Sequence, residues 1–342
     1  MKIKGWKVSP SPFIQTRPTI ATMAQLQTVC LLPVLVLLLI DRDISAVVNI
    51  LLSIAGCLAT EVCMRLVDKK VSRGHINFVL TGLLTGLLLP SSYPPVMAFG
   101  ASFAGSFFSR GIFGGTGANW MHPSAVSVGI AYIGYPAVFP GFLVSPDSIR
   151  TVGDAFGALR LDSFLLAQND QSVAAALNSS FLSFFDIRIP EGYVTLFWRS
   201  PSVIPAVRYN FLILVSSIIL IGAKALDWIV PLVSLTVYSL LLFVISLFPL
   251  NDTLFSGDIL FGLLTSGILF TVFYILSDPS TLPRTGTGKI CTGIIAGILF
   301  FIMCGPGGSS SGALFSVLLA NSVVPVIEKI EKKIYLASRK AL

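Results

Sequence analysis

The sequence predicts an all-α integral membrane protein of about ten transmembrane helices. Of 342 residues only 11% are charged and 54% are apolar, and the mean hydropathy is +0.86. That leaves too little polar surface to cover a water-soluble globule of this size. The spacing of apolar runs agrees. A bilayer core about 30 Å thick needs roughly 20 apolar residues per helical span, and such runs recur between short polar or Gly/Pro-rich connectors.

In chain order the spans are expected at 21–40, 45–64, 76–90, 94–113 and 124–145. After a long connector they follow at 208–223, 228–248, 254–276, 290–304 and 310–327. The first lies behind Lys2, Lys4, Lys7 and Arg17, but it is too long for a secretion signal and no small-residue cleavage site follows it, so it is expected to stay as an anchor. The chain then divides into 1–22, a cytoplasmic N-terminal segment; 23–145, a first five-helix half; 146–207, an outer-face loop; 208–328, a second five-helix half; and 329–342, a basic cytoplasmic tail. Within the loop, "DSFLLAQNDQSVAAALNSSF" reads as an amphipathic surface helix, and Trp198 suits the interfacial aromatic belt.

Basic residues orient the bundle, because Lys and Arg are retained in cytoplasmic connectors. With both termini inside, 17 of the 23 basic residues fall on the inner side, among them Arg65, Lys69, Lys70, Arg73, Arg110, Lys224, Arg284, Lys289 and the run Lys329 to Lys340. Five of the other six, Arg150, Arg160, Arg188, Arg199 and Arg208, lie on or beside the long loop, where the rule weakens. The net charge of +7 is therefore a topology signal, and nucleic acid is not an expected partner. The bacterial cytoplasmic (inner) membrane is the expected location, with the lipid bilayer as the surrounding solvent.

The five cysteines all fall in apolar spans without a CxxC pair, which predicts buried thiols. His75 and His122 lie singly in connectors, so no metal is expected. Gly286, Gly288 and Lys289 lack the full spacing of a phosphate-binding loop, and nucleotide binding is not expected either. No catalytic residue set is recognisable. Glu61 and Asp258 are the only acids within the spans and are candidates for an ion path. Position also allows structural roles: Glu61 stands four residues before Arg65, a spacing that permits a pair at the inner membrane edge, and Asp258 lies near the outer start of its span. Asp278, before Pro279, suits a cap or turn for the connector that follows.

Two phrases echo between the halves: Gly82-Leu83-Leu84-Thr85 with Gly262-Leu263-Leu264-Thr265, and "PSAVSVGIA" from Pro123 with "SGALFSVLLA" from Ser311. Halves of five helices each would enter the membrane from opposite sides, an inverted repeat with ligand sites near the repeat interface. Close helix packing at small residues accounts for the same glycines.

Scattered motifs run in order along the chain. "SRGIFGGTGANWMHPSAV" resembles the "YGGLGxNxFNPAM" segment of the RnfD and NqrB subunits of flavin-dependent, ion-translocating electron-transport complexes. It matches at Gly114, Gly115, Gly117, Asn119 and Pro123, with His122 in place of the second Asn. Ser11, Pro12 and Met23 fit that family's N-terminal pattern, Asp278-Pro279 its "TDP" corner, and the stretch containing Asn321 and Pro325 its "GVAFAVLLxNxxVPLID" segment. Length favours the RnfD type.

The resemblance implies a membrane subunit of an Rnf-type complex, a ferredoxin/NAD-type oxidoreductase coupling flavin-mediated electron transfer to Na+ or H+ movement, with other Rnf-type membrane subunits as partners. It also implies a flavin, FMN or riboflavin. Family members carry FMN on a Thr of the outer loop, and here the aligned residues are Gly157, Ala158 and then Leu159. Leucine has no hydroxyl to form the ester, so covalent FMN is expected to be absent. Two other readings stay open: a small-solute channel or transporter built on an inverted repeat, and a redox-silent scaffold subunit of the same family.

Overall fold

The computed structural model describes residues 18–67, 75–113, 119–140, 169–180, 182–185, 189, 191–248, 258–305 and 310–340. Every regular element among the described residues is helical. Five helices are long and apolar enough to cross a bilayer, with a sixth where two bent pieces form one span. The protein is an all-α multi-pass membrane protein.

Helix α1 spans Ile20–Ile40 and α2 spans Ile44–Val67. Thr19 starts α1 by accepting from the Thr22 N–H; the helix buries Ala24, Gln27, Leu31, Val34 and Leu38 and turns Val29, Leu32, Val36 and Leu39 outward. In water that outer face would be a large apolar patch, whereas in lipid it is simply the solvated side. Helix α3, His75–Leu88, differs: Asn77, Phe78 and every residue from Leu80 to Leu88 are buried. Such all-round burial marks a helix enclosed by others. Helix α4, Pro95–Ser106, loosens into a π-helical turn at Phe107–Gly111, and α5 covers Pro123–Gly134.

Between the halves lie α6, Asp170–Ser179, and the short helices Tyr193–Trp198 and Pro205–Arg208. The second half comprises α7 (Asn210–Gly222), α8 (Ile229–Ser246), α9 (Ile259–Thr265), α10 (Gly286–Cys304) and α11 (Ser310–Lys340).

Several expected boundaries move for local reasons. The fifth span ends at Gly134 rather than 145 because Pro136 follows and Tyr135 leaves the helical region at φ −152. The ninth starts early, at Gly286, where Thr285 accepts from the Gly288 N–H. The tenth runs on as helix through Lys340, so the basic tail to that point is ordered. The eighth is not one straight helix. Gly267 sits at φ 71, a left-handed conformation that costs glycine little, and beyond it Ile268–Phe270 and the π-helical Thr271–Leu276 continue at a bend of 70°. Of the expected amphipathic loop helix only 170–179 is helical among the described residues. Cys57 and Cys304 are buried, but Cys291 is exposed, because α10 gives its Gly288, Thr292 and Ala296 face to its neighbours.

The halves share a packing plan. Helix α2 packs on α3 and α4, and α4 on α5; α8 packs on α10, and α10 on α11. The echoed glycines sit in matching contacts: a Cβ on Gly82 would fall 2.7 Å from the Ile54 nitrogen of α2, and one on Gly262 2.6 Å from the Tyr238 hydroxyl of α8. Each glycine lets its helix approach the second helix of its own half. Residues Ile268 to Leu276, which follow the second echo, are all buried, as α3 is. Across the halves α1 meets α7, α5 meets α11, and Pro205–Arg208 meets α3.

Candidate functional site

One buried polar cluster lies where α3 begins, the fourth span ends, α5 begins and the connector after the eighth span turns. Arg110, at the π-helical end of the fourth span, is 5% exposed. Its Nη1 donates to the Asn77 carbonyl at 3.2 Å, and its guanidinium lies over the Phe78 ring at 5.2 Å. Asn119 and His122 precede α5, whose Pro123 suits a first helical turn that needs no N–H. Asn119 Nδ2 donates to Ser280 Oγ at 3.3 Å. Asp278 accepts from the Ser280 N–H at 3.1 Å and from Ser280 Oγ at 2.7 Å, an Asx turn that fixes the connector. His122 Nε2 stands 3.5 Å from Asp278 Oδ2. Residues read separately from the two halves of the sequence thus meet on one seam.

Charge at the seam is balanced without histidine. Burial pushes the His122 pKa well below the ordinary histidine range; Asp278 opposes that push and Arg110 adds to it. The imidazole is therefore neutral near pH 7, and Asp278 balances Arg110. Hydrogen bonding at the seam is incomplete: Arg110 Nε, Asn119 Oδ1 and His122 Nδ1 are buried with no hydrogen-bond partner among the described residues. Leaving one such group unmet costs about 1–3 kcal/mol. Three together present donors and acceptors to a polar ligand or ordered water.

A second polar group joins the halves at the opposite end of α3. Arg208 Nη1 pairs with Asp43 at 2.9 Å and its Nε donates to the Ser202 carbonyl at 3.1 Å. Ser91 Oγ donates to Asp43 at 2.7 Å, and the Ser91 N–H donates to the Val203 carbonyl at 3.1 Å. Arg199 pairs with Asp41 at 2.9 Å, and the Tyr209 hydroxyl also donates to Asp41. Burial alone would raise the Asp43 pKa; hydrogen bonds from Ser91 and the Ala46 N–H, with Arg208, outweigh it and hold the carboxyl below its ordinary range. Two of the loop arginines that weaken the charge-based orientation are thus neutralised by the acids of the α1–α2 turn.

The acids singled out in the spans are both engaged. Glu61 is 1% exposed and binds Arg65 at 2.6 Å and His75 at 2.8 Å. Asp258 caps α9 by accepting from the Phe261 N–H at 2.9 Å, and the Tyr193 hydroxyl donates to it. Asn321 is fully buried in α11, with neither amide atom partnered among the described residues, while Pro325 lies inside the same helix. Gly114, Gly115, Gly117, Gly157, Ala158 and Leu159 lie outside the described residues.

Residues 7–336 match the family model described as the NQR2, RnfD, RnfE family. The chain belongs to that family. It is similar to the D-type subunit of the ion-translocating oxidoreductase complex of Actinobacillus succinogenes, 26% identical over 95% of this chain and 96% of the relative. It is also similar to the D-type subunit of the proton-translocating ferredoxin:NAD(+) oxidoreductase complex of Clostridium ljungdahlii, 24% identical over 97% and 96%. The corresponding ion-translocating oxidoreductase subunit of Aeromonas salmonicida is 26% identical over 98% of this chain and the whole of its own length. The NQR2, RnfD, RnfE match thus spans both halves and the seam between them.

Sequence reasoning gave Arg110 a role only in orientation and gave Ser280 none. A signal for the arginine was present: "FFSRGIF" sets one cation among apolar neighbours, where a charge needs buried partners. Ser280 could be read from Asp278-Pro279-Ser280, the spacing of an Asx turn. That these residues share a site with Asn119 could not be read, since 161 positions separate Asn119 from Ser280.

Proposed function

We propose that this chain is the membrane subunit of an Rnf-type ion-translocating electron-transport complex, of the ferredoxin/NAD oxidoreductase type, in which flavin-mediated electron transfer drives Na+ or H+ across the bilayer. The observation that carries this reading is the meeting of Asn119 and His122 with Ser280 and Asp278 across the seam, in a chain of this family. The relatives' names support other subunits of such a complex as partners. Basic residues on alternate connectors support the bacterial cytoplasmic membrane with both termini inside.

A noncovalently held flavin, FMN or riboflavin, is part of this reading, and the unmet polar atoms of the seam are the groups that support it there. The edge of an isoalloxazine ring offers carbonyl oxygens and an N–H, and the chain offers the Arg110 Nε donor, the Asn119 Oδ1 acceptor and His122 Nδ1, each buried and unpaired among the described residues. When bound, such a group supplies one- and two-electron transfer. Arg110 holds a fixed positive charge there, favouring added negative charge in a low-dielectric site. Ser280 and the Asx turn keep Asp278 oriented, and neutral His122 donates or accepts at Nδ1 without changing the net charge. Leu159 forms no ester. Glu61 and Asp258 remain the acids proposed for ion access.

The test is purification from the native membrane, followed by flavin fluorescence before and after denaturation. Flavin should be released on denaturation, leaving the 36.6 kDa band dark, and Asn119→Ala should lower the amount bound. A band that stays fluorescent, and darkens only when Thr151, Ser163 or Thr195 is replaced, would overturn the noncovalent reading. Co-purification with complex subunits but no flavin would instead favour a redox-silent scaffold.

A further inference from the structure

A second feature lies at the same end of the bundle as the seam, on the other side of the 277–285 connector. A cavity of about 1230 Å³ opens between the start of α1, the turn joining α7 to α8, and that connector. One part of its wall is basic: Lys224, Arg284 and Lys289. Asp227 neutralises Lys289 directly. No carboxylate among the described residues pairs with Lys224 or Arg284, so the cavity carries two uncompensated cations. Another part is apolar, formed by Met23, Ile221 and Leu282. Trp228, half of whose surface is exposed, stands at the cavity in the position of an interfacial aromatic anchor.

We propose that this cavity is a binding site for a phosphate-bearing amphiphile, the headgroup and glycerol region of an anionic phospholipid. Charge selects the ligand's sign, and basic pockets between helices at a membrane surface are suited to phosphodiester headgroups. The mixed wall selects an amphiphile, since a fully hydrated ion gains nothing from Met23, Ile221 and Leu282. Size agrees: drug-sized ligands fill roughly 300–1,000 Å³, so inorganic phosphate alone leaves most of the space empty. Ser277 and Pro279 line the cavity on either side of Asp278. An occupant therefore bears on the connector that carries the seam's carboxylate, which makes the site a means for lipid composition to act on the seam. Binding itself does not depend on the electron-transfer reading.

The full chain, reconstituted in nanodiscs, tests this with brominated phosphatidylglycerol and brominated phosphatidylcholine as quenchers of the emission lost in Trp228→Phe. Phosphatidylglycerol is expected to quench saturably at a mole fraction well below that required of phosphatidylcholine. Lys224→Asn with Arg284→Gln should weaken that preference by about fivefold per cation removed. Asparagine is chosen because Lys224 sits at φ 55, a conformation asparagine tolerates. A control, Arg42→Asn on the α1–α2 turn, at the other end of α1 from the cavity and also at positive φ, should leave the preference intact. If millimolar inorganic phosphate displaces the lipid, the phosphate chemistry stands and a soluble phosphate compound becomes its source. Equal quenching by the two lipids, or a preference that survives loss of both cations, overturns the proposal, and the comparison of lipids on the unaltered chain decides this even if the double variant fails to fold.

Discussion

The two polar groups that join the halves sit at opposite ends of α3 and are finished to different degrees. At the outer end expected from the basic residues, Asp43 is met by Arg208, Ser91 and the Ala46 N–H, and every buried atom of the charged residues Asp41, Asp43, Arg199 and Arg208 has a partner; among the described residues the unmet buried atoms beside them are the neutral Asn49 Oδ1 and Ser200 Oγ. At the other end Arg110, Asn119 and His122 each keep one unmet buried atom. A network whose charged groups are all met holds structure. A network left open inside a low-dielectric bundle invites a ligand or water, because each unmet group is costly until it is filled. The difference teaches where to look for chemistry: the tighter ion pair is the clamp, and the looser seam is the site.

The largest effect should come from breaking the clamp. Arg208→Met strands Asp43, whose side chain is 17% exposed, and should cost about 3 kcal/mol of stability by thermal unfolding in detergent, with activity per folded molecule little changed. Next is Asp278→Asn at the seam. It should lower electron transfer by the assembled complex roughly tenfold to a hundredfold, as expected for a lost hydrogen bond to a charged group, and destabilise less than Arg208→Met. The reverse ranking of the two variants in stability and activity would break the comparison.

Acid should separate the regions further. The folded pKa of His122 lies below its unfolded value, about 6.5, so as pH falls the unfolded chain takes up the proton first. Stability from this residue is complete above pH about 6.5 and declines below it, by at most about 1.4 kcal/mol per pH unit. Asp43 has the same sign of linkage in a lower window: its stabilisation is complete above the ordinary carboxylate value, about 3.9, and is lost as pH falls below that toward its lowered pKa. His122→Asn, which restores the residue of the family pattern, should therefore flatten stability between pH 5 and 6.5, while Arg208→Met should leave that slope as it was. Ser91→Ala should have the smallest effect, about 1 kcal/mol, and a double-mutant cycle with Asp43→Asn should show the two to be coupled.

Much of the bundle could be read from composition and pattern, because lipid demands long apolar stretches with internally bonded backbone. The positions of α1, α2, α8 and α10 followed from that demand. The break at Gly267 did not, since a glycine in an apolar run serves packing as readily as a bend. Local turn chemistry was also legible: Asp278-Pro279 predicts the turn that Asp278 and Ser280 make. The outer clamp was not, because Asp41 and Asp43 lie in a short connector far in sequence from Arg199 and Arg208.

By itself, then, the sequence determined that this protein is helical, that it lies in a membrane, which family its scattered motifs fit, and that Leu159 offers no hydroxyl. Hydropathy and side-chain chemistry are local properties, and a string of residues carries them in full. Only the tertiary structure decided that Asn119, His122 and Asp278 share one seam with Arg110, and that the loop arginines serve as a clamp. Partnership between charges depends on distance in space, which the chain sets only when its two halves pack together.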